Sequence, residues 1–543
     1  MAGSGLCGLW VKTERPSLLA NVDQSDPSPK LGNAVADRPP QPTLEVAAMA
    51  LIGSLVLAAV CLILTYLTAL QYTAVRRLQH IPGPTAAAWS PLWLIRRQLG
   101  GRITRDLSEL TKKYGSIYRI APNWVIISDP LEVRKVWQAR GPWYRGQWYD
   151  MFRFNQPVDT ILSLRDDSAH NALRAKLLPG YSGKDVDNLH PVVDRRIGDL
   201  ISLIERKYLS TDKVFRPMDL AQKAQFMTLD IISELAVGRC FECLTEDRDT
   251  YGQILSVTGS VPLMAAMAMV PSSFVLLQNP IVQSLLPKEK MEGVMRMMAL
   301  AQENAAKRYG PDKIKARDML GSFVSHGLPH SNAWLETFGQ IGAGSDTTAT
   351  AIRMTMVHLI TSPDSYRKLQ HEIDSRIGDG RISSPITDEE ARQMHYLQAV
   401  IREGLRIWPP ITGLMPKLCD TEQVVCGVKI PPGTNVCWEA ISVLHNKEIF
   451  GDDAGCFRPD RWLENHDTDK RKTMEQVQML CFGTPSRWEC LGKAMALIEL
   501  NKIFVEVSSL HLSTSLTEAN ITCQAPPEIR FFLGLPVKTV LHL

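Results

Sequence analysis

Three shortages narrow the field before any motif is read. The 543-residue chain has no charge of one sign in excess: 60 basic side chains against 57 acidic ones leave a formal net charge of +3. That balance makes no case for nucleic acid as a partner, because such recognition rests on clustered cations. Cysteine is scarce, eleven residues in all, which is too thin for a disulfide-built scaffold and odd in number, so at least one thiol is unpaired. Glycine and proline, 35 and 34 residues, are too few for a collagenous or low-complexity chain. What is there, 45% hydrophobic and 22% charged residues, excludes a disordered chain and fits a packed globule.

Charge is also missing locally. Residues 46–70, VAAMALIGSLVLAAVCLILTYLTAL, carry none. A helix over that run is about 37 Å long, enough to cross a hydrocarbon core of about 30 Å with some tilt. The run is too long and starts too far from Met1 for a signal peptide, and no small-residue cleavage site follows it. The sequence therefore predicts a flexible tail rich in Pro, Ser and Asp over 1–43, a single membrane anchor over 44–71 and one body over 72–543. Arg76, Arg77, Arg96 and Arg97 after the span outweigh Lys30 and Arg38 before it, which places the body on the cytosolic side. On that topology the sequon Asn520-Ile521-Thr522 stays unmodified. A second uncharged stretch, 250–287, is broken by Pro262, Pro271 and Pro280 and is not a span. Its most apolar part, 261–277, suits core packing with methionine as gap filler, or a lid that touches membrane or an apolar substrate.

Along the body, His80-Ile81-Pro82-Gly83-Pro84 makes a stiff bend. Residues 117–120 and 125–127 alternate as two short strands. Helical periodicity then dominates, for example over 167–178, 189–208 and 218–238. Strand-and-turn pieces return at 424–436, with Pro432-Gly433 suited to a type II turn. No repeat and no linker divides the body. Its fold class is mainly α with a small β portion, preceded by one transmembrane helix.

One predicted helix breaks the usual rules. It is capped by Ser331, ends at Ser362-Pro363 and covers about 45 Å. Its middle contains Gly339, Gly342 and Gly344 and the polar run Ser345-Asp346-Thr347-Thr348. Such residues lose roughly 4 kcal/mol of intrinsic helix propensity, and local inconsistency of this kind marks functional sites. Ala343 and Thr347 share one face, with Asp346 beside them. That face either packs tightly on another helix, or lets something flat approach the backbone beside an Asp–Thr pair able to pass protons. A dinucleotide loop is excluded, because Thr347 stands where G-x-G-x-x-G needs its third glycine.

Among the cysteines, Cys240 and Cys243 form a C-x-x-C without a second pair at zinc spacing. Cys490 differs: it lies in FGTPSRWECLGK, just before a helix N-terminus, where amide donors and cations such as Arg487 and Lys493 favour thiolate. Glu403-x-x-Arg406 has an apolar setting before Trp408-Pro409-Pro410, where an ion pair needs a further partner. Glu389-x-x-Arg392 repeats the spacing as an ordinary surface pair.

Taken in order, AGSDTT at 343–348, EGLR at 403–406, FRPDRW at 457–462 and FGTPSRWECLGK at 482–493 resemble the motifs of the cytochrome P-450 family of haem-thiolate monooxygenases. The likeness runs from Pro82 to near the C-terminus, and YGSIYRIAPNWVIISDP at 114–130 is similar to the form common in filamentous-fungal members. The resemblance implies the cytochrome P-450 fold, with haem b as cofactor and Cys490 as its axial iron ligand. It implies Asp346 and Thr347 as the residues that deliver protons during oxygen activation. Glu403, Arg406 and Arg461 are implied as a buried ion network behind the haem, and His170, Arg174 and Arg487 as partners of its propionates. The cysteine loop departs from the family pattern: Pro485 replaces a glycine, and Phe482 and Arg487 each lie one residue further from Cys490 than is usual. Lys417 stands where an arginine is usual.

The expectation is thus a microsomal enzyme of the endoplasmic reticulum that inserts one oxygen atom into an apolar small molecule, by analogy in fungal secondary metabolism. No Rossmann or flavin motif occurs, so the electrons come from a separate NADPH-dependent flavoprotein reductase, to which Lys470-Arg471-Lys472, read as a loop, presents a basic patch. Two rivals stand beside it: a haem-thiolate isomerase or dehydratase that needs no reductase, and a degenerate non-catalytic haem protein.

Overall fold

The computed structural model describes residues 44–154, 157–210, 213–214, 216–270, 288–464 and 467–508. The tail expected over 1–43, Pro271 and Pro280, and the sequon at Asn520 lie outside them. The chain divides into two compact units between Tyr66 and Leu67. The first unit consists, among the described residues, of the start of helix α1 (Leu44–Arg77), which ends on Arg76 and Arg77. Its stretch Leu51–Arg77 is long and apolar enough to cross a membrane, and its leucines and isoleucines are exposed.

In the second unit the Pro-Gly-Pro bend docks on the sheet. Arg119 N–H donates to Pro82 O at 2.7 Å, and a side chain at Gly83 would strike the Arg119 carbonyl. The sheet is built from β1 (Ile117–Ala121), β2 (Trp124–Ile127), β3 (Tyr144–Arg145), β4 (Lys417–Leu418) and β7 (Asn435–Trp438), in the order β1-β2-β7-β4-β3. Strands β5 (Gln423–Val425) and β6 (Val428–Ile430) form a separate hairpin. Every residue of β1 and β2 is buried, so the sequence alternation there separates two covered faces rather than core from solvent. Gly433 takes φ +71°, as the third position of a type II turn requires.

The rest is mainly helical, and the labelled helices are α2 (Asp167–Tyr181), α3 (Leu189–Leu203), α4 (Leu220–Val237), α5 (Gln253–Ala268), α6 (Lys288–Ala306), α7 (His330–Ile360), α8 (His395–Ile407), α9 (Thr468–Gln478) and α10 (Lys493–Ser508), with others, Ile103–Tyr114 and Pro363–Gly378 among them, named by their residues. The main core gathers apolar side chains of α2, α3, α4, α7, α8 and α10. Small residues set two crossings on α7. A Cβ on Gly344 would meet Ile232 Cγ1 of α4 at 2.9 Å, and one on Gly404 of α8 would strike the Thr355 side chain. Gly339 and Gly342 have open space instead. The two sequence readings of the glycine-broken helix therefore divide between its glycines: Gly344 packs a helix, and Gly339 and Gly342 leave a face clear.

Three local expectations are corrected. Helix α7 starts at Pro329 as cap, and Ser331 lies inside it, bonding Asn332. Pro329 takes extended backbone angles there, and no side chain caps the first amides. Pro262 lies inside α5 without ending it. The Thr258 and Ser260 hydroxyls donate to Ile254 O and Ser256 O, at 2.7 Å each. Lys470, Arg471 and Lys472 belong to helix α9 rather than to a loop, and Asp467 caps it with its carboxylate on the Asp469 and Lys470 amides.

Candidate active site

The cysteine loop is shaped by its backbone. A 3-10 turn, Met479–Phe482, ends at Gly483, whose φ of +86° redirects the chain. Cys490 N–H returns to Phe482 O at 2.8 Å, and α10 begins at Lys493. The backbone N–H groups of Gly492 and Lys493 and the Arg174 guanidinium favour the thiolate of Cys490. Burial outweighs them and raises the thiol. Cys490 is nevertheless exposed in surface terms. A sulfur that is both hemmed in and accessible faces open space inside the body. No group of three or more His, Cys, Asp or Glu among the described residues could hold a metal. A metal at Cys490 would therefore take further ligands from outside these side chains. Cys240 takes a hydrogen bond from Arg196 Nη1 at 3.2 Å, and Cys243 is buried beside Thr250, so the C-x-x-C is spent on packing.

Helix α7 has the same property at its centre. Ala343 is exposed and Gly339, Gly342 and Thr347 are half-buried, although Ile341, Ser345 and Thr348 are buried. The Thr347 hydroxyl donates to Ala343 O at 2.9 Å. Asp346 is turned away from that open face. It is buried, accepts from Gln225 Nε2 at 2.9 Å and lies 3.5 Å from Arg353. Burial pushes its carboxyl up to about 7, against the pull of Arg353 and Gln225. Asp346 and Thr347 are thus neighbours in sequence on different sides of the helix, and the structure shows no direct bond between them.

Glu403, Arg406 and Arg461 come together as one buried set. Arg406 Nε and Nη2 hold Glu403 at 2.9 and 2.8 Å, and Arg461 Nε holds it at 2.9 Å. Trp462 Nε1 and the Arg458 N–H add bonds of 2.9 and 2.8 Å. Burial pushes the carboxylate up, yet Arg406 and Arg461 hold it below the usual range. The further partner that the apolar setting of Glu403-Arg406 required is Arg461, with five hydrogen bonds on one carboxylate in total. Arg392 pairs with Asp388 rather than Glu389, at the surface.

A second set, buried at His170, Arg145 and Lys417 and half-buried at Arg174 and Arg487, is rich in basic side chains. His170 and Arg174 project from α2, Arg487 and Trp488 from the cysteine loop, and Arg145 and Lys417 face each other as partners across β3 and β4. Arg174 Nη1 donates to Glu489 O at 2.7 Å. Arg487 donates to Ala139 O at 2.7 Å and pairs with Asp167. Sequence reasoning named His170, Arg174 and Arg487 and missed Arg145; it noted Lys417 without giving it a role. Two-residue strands carry no periodicity that could have revealed the pairing. The buried Nδ1 of His170 has no hydrogen-bond partner among the described residues, and Lys417, a buried residue, places its Nζ over the Trp488 ring. Burial and the surrounding cations hold Lys417 down at about 7 and His170 down at about 3. Asp167 is spent on Arg487, so among the described residues the ammonium of Lys417 lacks an ion pair of its own, and such a buried cation calls for an anion. A haem, with two carboxylates and an iron that takes one thiolate, fits this donor set.

The comparisons with known proteins agree. The Cytochrome P-450 family model matches residues 81–509. "Cytochrome P-450 monooxygenase aba1" of Botryotinia fuckeliana is 39% identical over 79% of this chain and 85% of its own length. "Cytochrome P-450 monooxygenase ABA1" of Pyricularia oryzae is 38% identical over 80% of this chain and 86% of its own. A "Cytochrome P-450 monooxygenase" of Aspergillus terreus is 29% identical over 79% of this chain. Most of the described body lies within the matched region, and the chain belongs to the cytochrome P-450 family of monooxygenases.

Proposed function

We propose that this chain is a membrane-anchored monooxygenase that binds haem b through Cys490 and inserts one oxygen atom into an apolar small molecule of fungal secondary metabolism. The observation that carries it is the setting of Cys490: an accessible sulfur deep in the body, with amide donors aimed at it, in the same unit as a buried cation cluster. When bound, a thiolate-ligated haem supplies oxygen activation, because the sulfur pushes electron density to the iron.

The chain's own residues do the rest. The Gly492 and Lys493 amides hold the negative charge on sulfur. Arg174, Lys417 and Arg487, with Arg145, would set positive charge against the propionates, and His170, held uncharged, would offer a ring N–H. The triad of Glu403, Arg406 and Arg461 fixes α8 against the Phe450–Trp462 segment, since Arg406 also donates to Ala454 O and Arg461 to Phe450 O, at 2.6 Å each. Thr347, on the open face of α7, passes protons from its hydroxyl, and Asp346 replenishes them from behind the helix at a carboxyl that titrates near neutrality. Phe338, Gly339, Gly342 and Ala343 leave a face that suits an apolar substrate.

The electrons come from an NADPH-dependent flavoprotein reductase that meets the exposed Lys470, Arg471 and Lys472. The anchor holds the body on the cytosolic side of the endoplasmic reticulum. A carbon monoxide difference spectrum of the reduced protein tests the haem-thiolate assignment. The thiolate band is expected, and its loss in Cys490→Ser; a wild-type protein without the band overturns the reading. Turnover is expected to require reductase, and product formed without it would favour isomerase chemistry.

A further inference from the structure

The cysteine loop carries one residue more than the family pattern, and the structure shows where the added bulk goes. The Trp488 ring lies at the centre of the cation cluster. The Arg145 guanidinium carbon stands 4.1 Å from its centroid, Lys417 Nζ 4.3 Å and the Arg487 guanidinium carbon 5.7 Å. The His170 ring packs on it at 4.1 Å between centroids. The arrangement has a local problem. Arg145 and Lys417 are direct partners across an antiparallel pair, and both are buried. Like charges in that position repel. The nearest carboxylates are occupied, Asp167 with Arg487 and Glu489 with Lys493. Arg145 has backbone carbonyls of Ile161, Leu162 and Leu164 for its Nη1, and Lys417 has none of these. Both feel the Asp167 carboxylate, which is paired with Arg487, and the contact they share is the π face of Trp488.

Resting on the haem reading above, we infer that Trp488 is a positioning residue: its ring holds Arg145 and Lys417 together by cation–π contact, so that both are set to receive the carboxylates of the porphyrin. A cation over an indole face gains about 0.5–2 kcal/mol, most when desolvated, and tryptophan is the strongest such partner. The lengthened loop thereby compensates for the lysine at 417, whose ammonium is a point charge without the fork geometry of a guanidinium. The Trp488 ring touches the cations and not the reacting atoms, so its effect falls on cofactor retention.

The test measures transfer of haem from the purified full-length protein to excess apomyoglobin, alongside the carbon monoxide difference spectrum. Trp488→Ala and Trp488→Leu are both expected to release haem about tenfold faster, equivalent to about 1.4 kcal/mol. Trp488→Phe, which keeps a π face, is expected to stay within about threefold of wild type. Retention by the leucine variant at the wild-type rate would show that bulk alone suffices and would overturn the inference, as would loss from the phenylalanine variant as fast as from alanine. Where the alanine and leucine variants do not accumulate, Trp488→Met, which keeps bulk without a π face, carries the same test: release about tenfold faster supports the inference and unchanged release overturns it. A wild-type protein without the thiolate band defeats the haem reading itself. A normal band with indifferent variants defeats only the role of Trp488.

Discussion

Gly404 of α8 lies so close to the Thr355 side chain of α7 that no added carbon fits between them. The crossing holds α8, with Glu403 and Arg406 on it, against the helix that carries Asp346 and Thr347. Gly404→Ala is therefore expected to lose about 1–3 kcal/mol of stability by overpacking. Gly342→Ala, with open space around its new methyl, is expected to gain up to about 1 kcal/mol from helix propensity. Denaturant unfolding of the two variants checks the pair, and the opposite signs are the point of the comparison.

Asp346 and Thr347 make a prediction about proton supply. Thr347→Ala is expected to keep NADPH consumption while diverting it from product to hydrogen peroxide. Asp346→Asn is expected to lower product formation by about 10²-fold or more. The acid form of Asp346 is lost as pH rises through about 7, so the wild-type rate of the proton-limited step is expected to fall above that pH. The asparagine variant, having no carboxyl there, is expected to show a flat profile across the same range. Coupling ratios measured between pH 6 and 8.5 decide it.

Glu336 supplies a test of stability. It is buried on α7 and accepts one hydrogen bond, from the Ile161 N–H at 2.7 Å. Burial pushes its carboxyl up to about 8 from an ordinary 4.5. Between those values the unfolded chain has released the proton and the folded one still holds it. Stability is then expected to fall as pH rises through that window, by up to about 1.4 kcal/mol per unit. Glu336→Gln keeps an acceptor for Ile161 and carries no proton to lose. Its advantage over wild type is expected to be absent near pH 4.5 and to grow toward pH 8, as read from melting temperatures.

Sequence and structure agree most closely where function rests on local geometry. Cys490 before a helix start and Glu403 with Arg406 at helical spacing were legible because one turn of helix fixes them. The partition of the α7 glycines was not: Gly339, Gly342 and Gly344 read alike until Ile232 arrives beside one of them. Arg145 escaped notice for a similar reason, since its position depends on pairing with Lys417 from a distant part of the chain. Ser331 misled because a hydroxyl is the commoner cap, whereas the helix begins after Pro329, without a side-chain cap.

The loop that carries Cys490 is fastened to the first third of the chain by Arg174 on Glu489, Arg487 on Ala139 and Thr484 on Trp137, contacts that span 315, 348 and 347 residues. Translation proceeds from the other end. The early helices must wait, through the synthesis of more than half the protein, for the strand of chain that closes their shared chamber. On the haem reading proposed above, pigment uptake is then a terminal event in biogenesis, and a nascent polypeptide stalled before residue 480 holds every cationic side chain of the cluster except Arg487 but lacks the sulfur proposed to take the metal.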